Sequence, residues 1–150
     1  MAKIVVAKDK VDGADKHQVN ITVSGNPAVG VGDYDYKGEV STGLSDFVSV
    51  DGTFVGLVSS GSKLRSDGVS AHAAPGATSV TPTPDGAPVS FVVPAGVGDG
   101  VPSSGTGSPL FTVGGVKVLL DGDKFDTCGI ATGIGKASVA ASGQDWVTAA

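Results

Sequence analysis

Along this chain, apolar and polar residues alternate in short runs broken by a glycine-bearing turn, and the unit so formed recurs. It reads Ile21-Thr-Val-Ser-Gly-Asn-Pro-Ala-Val-Gly-Val-Gly-Asp33. A looser copy is Val48-Ser-Val-Asp-Gly-Thr-Phe-Val-Gly-Leu-Val-Ser-Ser60, and a third is Phe111-Thr-Val-Gly-Gly-Val-Lys-Val-Leu-Leu-Asp-Gly-Asp123. Alignment on Gly25, Gly52 and Gly115 superposes Ile21, Val48 and Phe111. Two residues further on it superposes Val23, Val50 and Val113, which is the spacing of one strand face. Units too small to bury a core singly must share one, so the pattern predicts an all-β fold of short hairpin repeats packed about each other. A chain of 150 residues fits this as a single domain over residues 1–150.

Between the repeats the pattern predicts a strand over residues 3–7 and a charged turn over 9–15. A second strand over 18–23 breaks at Gly25-Asn26-Pro27 and resumes to Val31, ending at Gly32-Asp33. Asp51-Gly52 is the strongest hairpin signal, because a type I′ turn needs positive φ at both central residues. From about 59 to 102 the alternation dissolves into Ser, Gly, Ala, Pro and Thr, which predicts a long loop insertion with one strand over 89–93. Within it, residues 94–99 echo residues 27–33, either as a truncated fourth unit or by chance. Residues 130–150 read as a small-residue tail, with a brief helical possibility over 136–141.

Composition narrows the functional classes. Twenty-four glycines set against five Phe, two Tyr and one Trp describe many turns joined by small side chains. A net charge of −5 argues against nucleic-acid binding, which needs clustered Lys and Arg. The single cysteine, Cys128, excludes an internal disulfide. The amino terminus lacks the apolar core and cleavage site of a secretory signal, and no apolar run reaches membrane-spanning length. The expectation is synthesis in the cytoplasm without a signal peptide.

The repeats resemble those of the PAAR-repeat proteins, which cap the membrane-piercing spikes of type VI secretion systems and contractile phage tails. Members carry Gly-Ser-Pro, an apolar strand, Asn-Gly, then Lys-Pro-Ala-Ala-Arg-Val-Gly-Asp. Here Gly25-Asn-Pro-Ala-Val-Gly-Val-Gly-Asp33 is similar to the second half, with Gly30 at the arginine position. Ser104-Gly-Thr-Gly-Ser-Pro109 followed by Phe111-Thr-Val-Gly-Gly115 is similar to the first half, and Asp121-Gly-Asp123 and Thr127-Cys-Gly129 close that copy. The likeness spans about residues 8–129, and no copy holds an intact Pro-Ala-Ala-Arg. The resemblance implies a compact cone with three units about a pseudo-threefold axis. It also implies a non-enzymatic cap, monomeric by itself, seated one per trimer on a trimeric spike protein and in transient contact with a target membrane. A three-unit base on one chain can match the end of a three-chain shaft, and docking would satisfy open strand edges on both.

A converging tip has little volume for a hydrophobic core, and small domains in that position rely on a metal or a disulfide. With one thiol, metal is the available device, and the candidate ligands are His17, His72 and Cys128. Imidazole and thiolate suit tetrahedral Zn²⁺, and the resemblance implies a tip metal held by histidines and a cysteine. Asp126 or water is available as a fourth ligand. The competing reading is that both histidines are exposed loop residues and Cys128 a small buried apolar one.

Other constellations are weaker. No Gly-x-Ser-x-Gly elbow supports a Ser/His/Asp hydrolase, and the glycines of 129–135 lack a Gly-Lys-Ser/Thr ending and read as turns. Asp121, Asp123 and Asp126 depart from a calcium-loop pattern and read as solvated turn residues. Two rival classes stand beside the cap: a capsid decoration protein that trimerises on a phage shell without metal, and a carbohydrate-binding or hydrolytic β domain.

Overall fold

A computed structural model describes residues 1–86, 89–129, 136–145 and 147–149, and they are all-β. In chain order the strands are β1 (Ala2–Lys3), β2 (Lys10–Val23), β3 (Asn26–Thr42), β4 (Ser49–Val50), β5 (Thr53–Phe54), β6 (Gly61–Leu64) and β7 (Ser79–Thr81). They continue with β8 (Ser90–Phe91), β9 (Asp99–Pro102), β10 (Thr112–Val113), β11 (Val116–Lys117), β12 (Lys124–Asp126), β13 (Ala137–Ala140) and β14 (Thr148–Ala149). The one helical turn among them is a 3₁₀ turn at Ala74–Gly76.

The dominant feature is the long antiparallel ribbon of β2 and β3, paired from Lys10↔Glu39 to Val23↔Asn26. Its two-residue turn places Ser24 at φ 50 and Gly25 at φ 74, the left-handed pair of a type I′ turn. The expected break at Gly25 is therefore present, while two other expectations are corrected. The charged segment 9–15 is largely strand rather than turn, and Gly32-Asp33 lies inside β3 rather than ending it. Alternate positions of both strands point inward. On β2 these are Val11, Gly13, Asp15, His17, Val19 and Ile21, and on β3 they are Gly30, Gly32, Tyr34, Tyr36, Gly38 and Val40. Several face each other large against small, as Val11↔Gly38, Gly13↔Tyr36 and His17↔Gly32.

Strands β3, β6, β9, β12, β13 and β2 pair in that order, and the β2–β3 ribbon closes them into a ring. The interior holds Val11, Tyr36, Val40, Phe125, Ala137 and Val139, all buried. The backbone of β13 approaches so closely that a Cβ on Gly13 would lie 2.2 Å from the Lys136 carbonyl oxygen. This ring revises two expectations. The 59–102 segment, read as a long loop insertion with one strand, also contributes the ring strands β6 and β9. The helical possibility over 136–141 gives way to β13, because Ala137 and Val139 alternate into the core while Ser138 pairs outward across to Asp12 and Lys124.

At one end of the ring lie three two-stranded pairs, β4–β5, β10–β11 and β14–β1. Asp51 and Gly52 turn the first with φ 50 and 76, and Gly114 and Gly115 turn the second with φ 58 and 81. The third pair joins the chain's first strand to its last. Each pair leads into a short segment, and these segments bond to one another in a cycle. Val5 N–H donates to the Leu119 carbonyl at 3.0 Å, Leu119 N–H to Gly56 at 3.0 Å, and Gly56 N–H to Val5 at 2.9 Å.

The side chains that brace the cycle also correspond. Asp9, Ser60 and Asp123 accept from the N–H of Val6, Leu57 and Leu120 respectively, at 2.7, 2.8 and 2.7 Å. Ser45, Ser108 and Gln144 accept from the N–H of Val48, Phe111 and Val147. Two of the repeats seen in the sequence thus occupy equivalent places. The copy aligned on Gly25 does not: it forms the ribbon's far end, and the third place is filled by residues 2–9 with Gln144 and 147–149. The residues read as solvated turn aspartates hold backbone instead, Asp121 accepting from Ala141 N–H and Asp123 from Gly107 N–H.

At the other end, Val19, Ile21 and Tyr34 form a small separate cluster covered by Val80, Val89 and Phe91 from the 65–98 segment. The expected strand over 89–93 is present as the shorter β8. Phe125 is fully buried at the middle of the ring, the largest apolar side chain there besides Tyr36. Phe125→Ala is expected to destabilise the fold by about 3–5 kcal/mol, read as a lowered denaturation midpoint with unchanged slope.

Candidate metal centre

Between the ring core and the distal cluster, the inward positions of β2 are polar. Asp15 and His17, two residues apart on one strand face, point into the same interior. The chain leaving β6 brings His72 over them, held by a bond from its own N–H to the Gly68 carbonyl at 2.9 Å. Cys128 arrives two residues after β12 and is half-buried, whereas Asp15, His17 and His72 are buried. Gly129, next in sequence, packs so tightly that a Cβ there would stand 1.8 Å from Asp15 Oδ1. Rings of Phe91, Tyr34 and Tyr36 wall the site, the first with its centroid 4.8 Å from that of His17.

One atom of each residue faces a common point. Asp15 Oδ2 lies 3.2 Å from His17 Nε2, 3.3 Å from His72 Nε2 and 3.0 Å from Cys128 Sγ. The two Nε2 atoms are 3.1 Å apart, and Cys128 Sγ stands 3.2 Å from His72 Nε2 and 3.5 Å from His17 Nε2. These six separations are the edges of a nearly regular tetrahedron. Its centre is about 2.0 Å from each vertex, the length of a bond from zinc to nitrogen or oxygen and a little under that to sulfur.

Protons alone account poorly for this arrangement. His72 Nδ1 is 3.1 Å from the Asp35 carbonyl oxygen, which can only accept, so Nδ1 carries a hydrogen. Nε2 then donates to the Asp15 carboxylate only from a protonated ring; in the neutral ring its lone pair faces that carboxylate, with the second imidazole and the sulfur alongside. A central cation would give the carboxylate oxygen, both Nε2 atoms and the sulfur one shared attractive partner. Supporting bonds orient the donors as in a metal site. The His72–Asp35 bond fixes the tautomer, Lys16 N–H occupies the other Asp15 oxygen at 2.7 Å, and Gly98 N–H donates to Cys128 Sγ at 3.0 Å.

The electrostatics of the metal-free site follow from the same contacts. Burial works against the Asp15 carboxylate, yet hydrogen bonds from His17, His72 and Cys128 outweigh it and hold Asp15 far below the usual carboxylate range. Burial, reinforced by the Asp15 carboxylate, pushes the Cys128 thiol up to about 12. A divalent ion bound by one carboxylate, one thiolate and two neutral imidazoles would have its charge cancelled within the site, which suits a buried position. Four protein donors fill the four positions of a tetrahedral ion, the pattern of structural rather than catalytic centres.

All three ligands expected from the sequence, His17, His72 and Cys128, therefore meet, and the alternative of two exposed loop histidines is corrected. The fourth donor is Asp15. Asp126 lies on β12 and accepts a hydrogen bond from the Ser103 hydroxyl instead. Asp15 escaped notice because its segment read as a charged turn; the available signal was the Asp-x-His spacing, which on a strand puts both side chains on one face. The glycine-rich stretch 130–135 lies outside the described residues. No family model, curated protein or solved structure matches this chain.

Elemental analysis is expected to find about one equivalent of divalent metal per chain. Asp15→Ala should weaken binding by at least about tenfold in a chelator competition, while Asp126→Ala should leave it unchanged. The Cys128 proton must leave when metal binds, so affinity should rise about tenfold per pH unit between pH 7 and 9, measured by competition titration.

Proposed function

We propose that this chain is a structural cap rather than an enzyme. It closes the end of a trimeric β-helical spike and forms the membrane-piercing point of a contractile injection machine, in a phage tail or a type VI secretion system. The observation that carries this reading is the cycle of Val5, Gly56 and Leu119 with its three flanking strand pairs. Such a base lets one asymmetric chain offer three equivalent contacts to three identical partners.

The exposed apolar residues follow the same correspondence. Phe47 and Leu110, each two residues after the bracing serine of its unit, are 69 % and 80 % exposed. The residue at that place in the third unit is Trp146, which lies outside the described residues. Apolar side chains at matching stations fit sockets repeated by a threefold axis, and the short strand pairs have outer edges able to extend a partner's sheet. The buried four-donor centre fits Zn²⁺, which takes tetrahedral nitrogen, oxygen and sulfur ligands and undergoes no redox change. It ties β2 to the 65–98 segment and to the chain after β12, cross-linking the end that would meet a target. Synthesis in the cytoplasm followed by assembly onto the spike belongs to the same reading.

Native mass spectrometry of the chain mixed with a trimeric spike protein tests the proposal. The expected species are a monomer alone and a complex of one chain with three spike chains. Phe47→Asp combined with Leu110→Asp should weaken that complex by at least about a hundredfold while metal content stays the same. A metal-free self-trimer that ignores the spike would instead identify a shell-decorating protein.

A further inference from the structure

Each station of the base is held by two bracing side chains, and the second of them reaches back to the backbone just ahead of the first. Ser60 donates its hydroxyl to the Gly43 carbonyl at 2.9 Å, two residues before Ser45. Asp123 accepts from Gly107 N–H at 3.0 Å, one residue before Ser108. Asp9 does the same ahead of Gln144, its Oδ1 accepting from Ser142 N–H at 2.8 Å and from Gly143 N–H at 2.7 Å. The other oxygen, Oδ2, holds Val6 N–H at 2.7 Å.

The three stations differ in what else ties them. A two-residue turn joins β4 to β5 and another joins β10 to β11, so those pairs are closed locally. No turn joins β14 to β1, and strand pairing and side chains alone keep them together. Asp9 is 1 % exposed and Gln144 4 % exposed. Gln144 Nε2 donates to the Ile4 carbonyl at 2.9 Å and to the Val147 carbonyl at 2.8 Å, while its Oε1 accepts from Val147 N–H at 2.7 Å. A Cβ on Gly143 would lie 2.6 Å from Val6 Cγ2 and 3.2 Å from Asp9 Oδ1, so this arm of the chain sits directly on the carboxylate. Asp9 thus bridges Val6 to Ser142 and Gly143, and Gln144 bridges Ile4 to Val147.

The rest of the molecule does not depend on this joint. The ring strands end with β13 at Ala140, and the four clustered donors lie between Asp15 and Cys128. Loss of the bridging side chains therefore opens one station while the ring and the donor cluster stand, a local opening rather than a global one. We propose that Asp9 and Gln144 are positioning residues of the docking base. They clamp the arm of residues 142–145 and 147–149 beside residues 2–6, so that a threefold partner meets three stations rather than two. The inference rests on the cap reading and names the residues that complete its base.

Hydrogen exchange and spike binding, measured together on the zinc-loaded 150-residue chain, test it. Asp9→Ala should speed exchange at the Val6, Ser142 and Gly143 amides at least about tenfold. Gln144→Glu, which sets a carboxylate against two carbonyls, should do so at the Ile4 and Val147 amides. In both variants the amides of β2 and β13 should keep wild-type rates, and metal should stay at about one equivalent per chain. Affinity for a trimeric spike protein should fall at least about tenfold in each, since one of three stations is lost. Asp67→Ala, which breaks an exposed ion pair with Arg65, should change neither readout. Unaltered spike affinity in both variants, or exchange that rises through the ring as much as in the arm, overturns the proposal. A wild-type chain that forms no complex with the spike overturns the cap reading alone, and the exchange pattern then decides the clamp without a partner.

Discussion

The pairing of β2 with β3 in one unbroken antiparallel register is the constraint on which the other features depend. It fixes which residues face inward along the whole ribbon, and it does so for three different environments in turn. Near Val11 and Val40 the inward side joins the closed ring of strands, at Asp15 and His17 it becomes polar, and at Val19 and Ile21 it is apolar again. A slip of one residue would turn all of these outward together. The ribbon can run this far because the ring leaves no free edge on it and the 65–98 segment covers its distal part.

The narrow interior explains the composition. Strands that approach as closely as β2 and β13 exclude side chains at Gly13, and the space that remains is filled by few large residues, chiefly Tyr36 and Phe125. Such an interior buries limited apolar area, and a buried cluster of Asp15, His17, His72 and Cys128 would lower stability further if it stood without a cation. With one, the same four side chains become a cross-link among three distant parts of the chain. The polar layer and the small core are two sides of one solution.

The two ends of the molecule differ in kind. One carries the cycle of Val5, Gly56 and Leu119 with exposed Phe47 and Leu110 around it, the other the tight Ser24-Gly25 turn with the Asp85 carboxylate bonded to it. Charged side chains stand at both, Lys3, Asp51 and Lys117 on the strand pairs of the first and Asp85 at the turn of the second.

Turn chemistry was legible in the sequence. Asp51-Gly52 and the Gly114-Gly115 pair announced hairpins because only residues tolerant of positive φ serve a type I′ turn, and those hairpins stand. The all-β class and three of the four clustered donors were also readable, the donors because His and Cys are so scarce here that any metal site must draw on them. What alternation could not reveal were strands whose inward residues are not apolar. Lys10 to Asp15 presents Val, Gly and Asp to the interior, and β6 presents Ser62, so neither carries the hydrophobic period of a strand. The chain by itself determined its turns, its strand class and its scarce ligands, since these depend on local backbone preference and residue chemistry. Only the tertiary structure decided that Asp15 joins the three scarce donors in one cluster, that Gln144 and residues 147–149 complete a unit begun at Ala2, and that the Gly25 hairpin stands apart from the cycle of Val5, Gly56 and Leu119. Each of these rests on contacts between segments far apart in sequence, which no local pattern encodes.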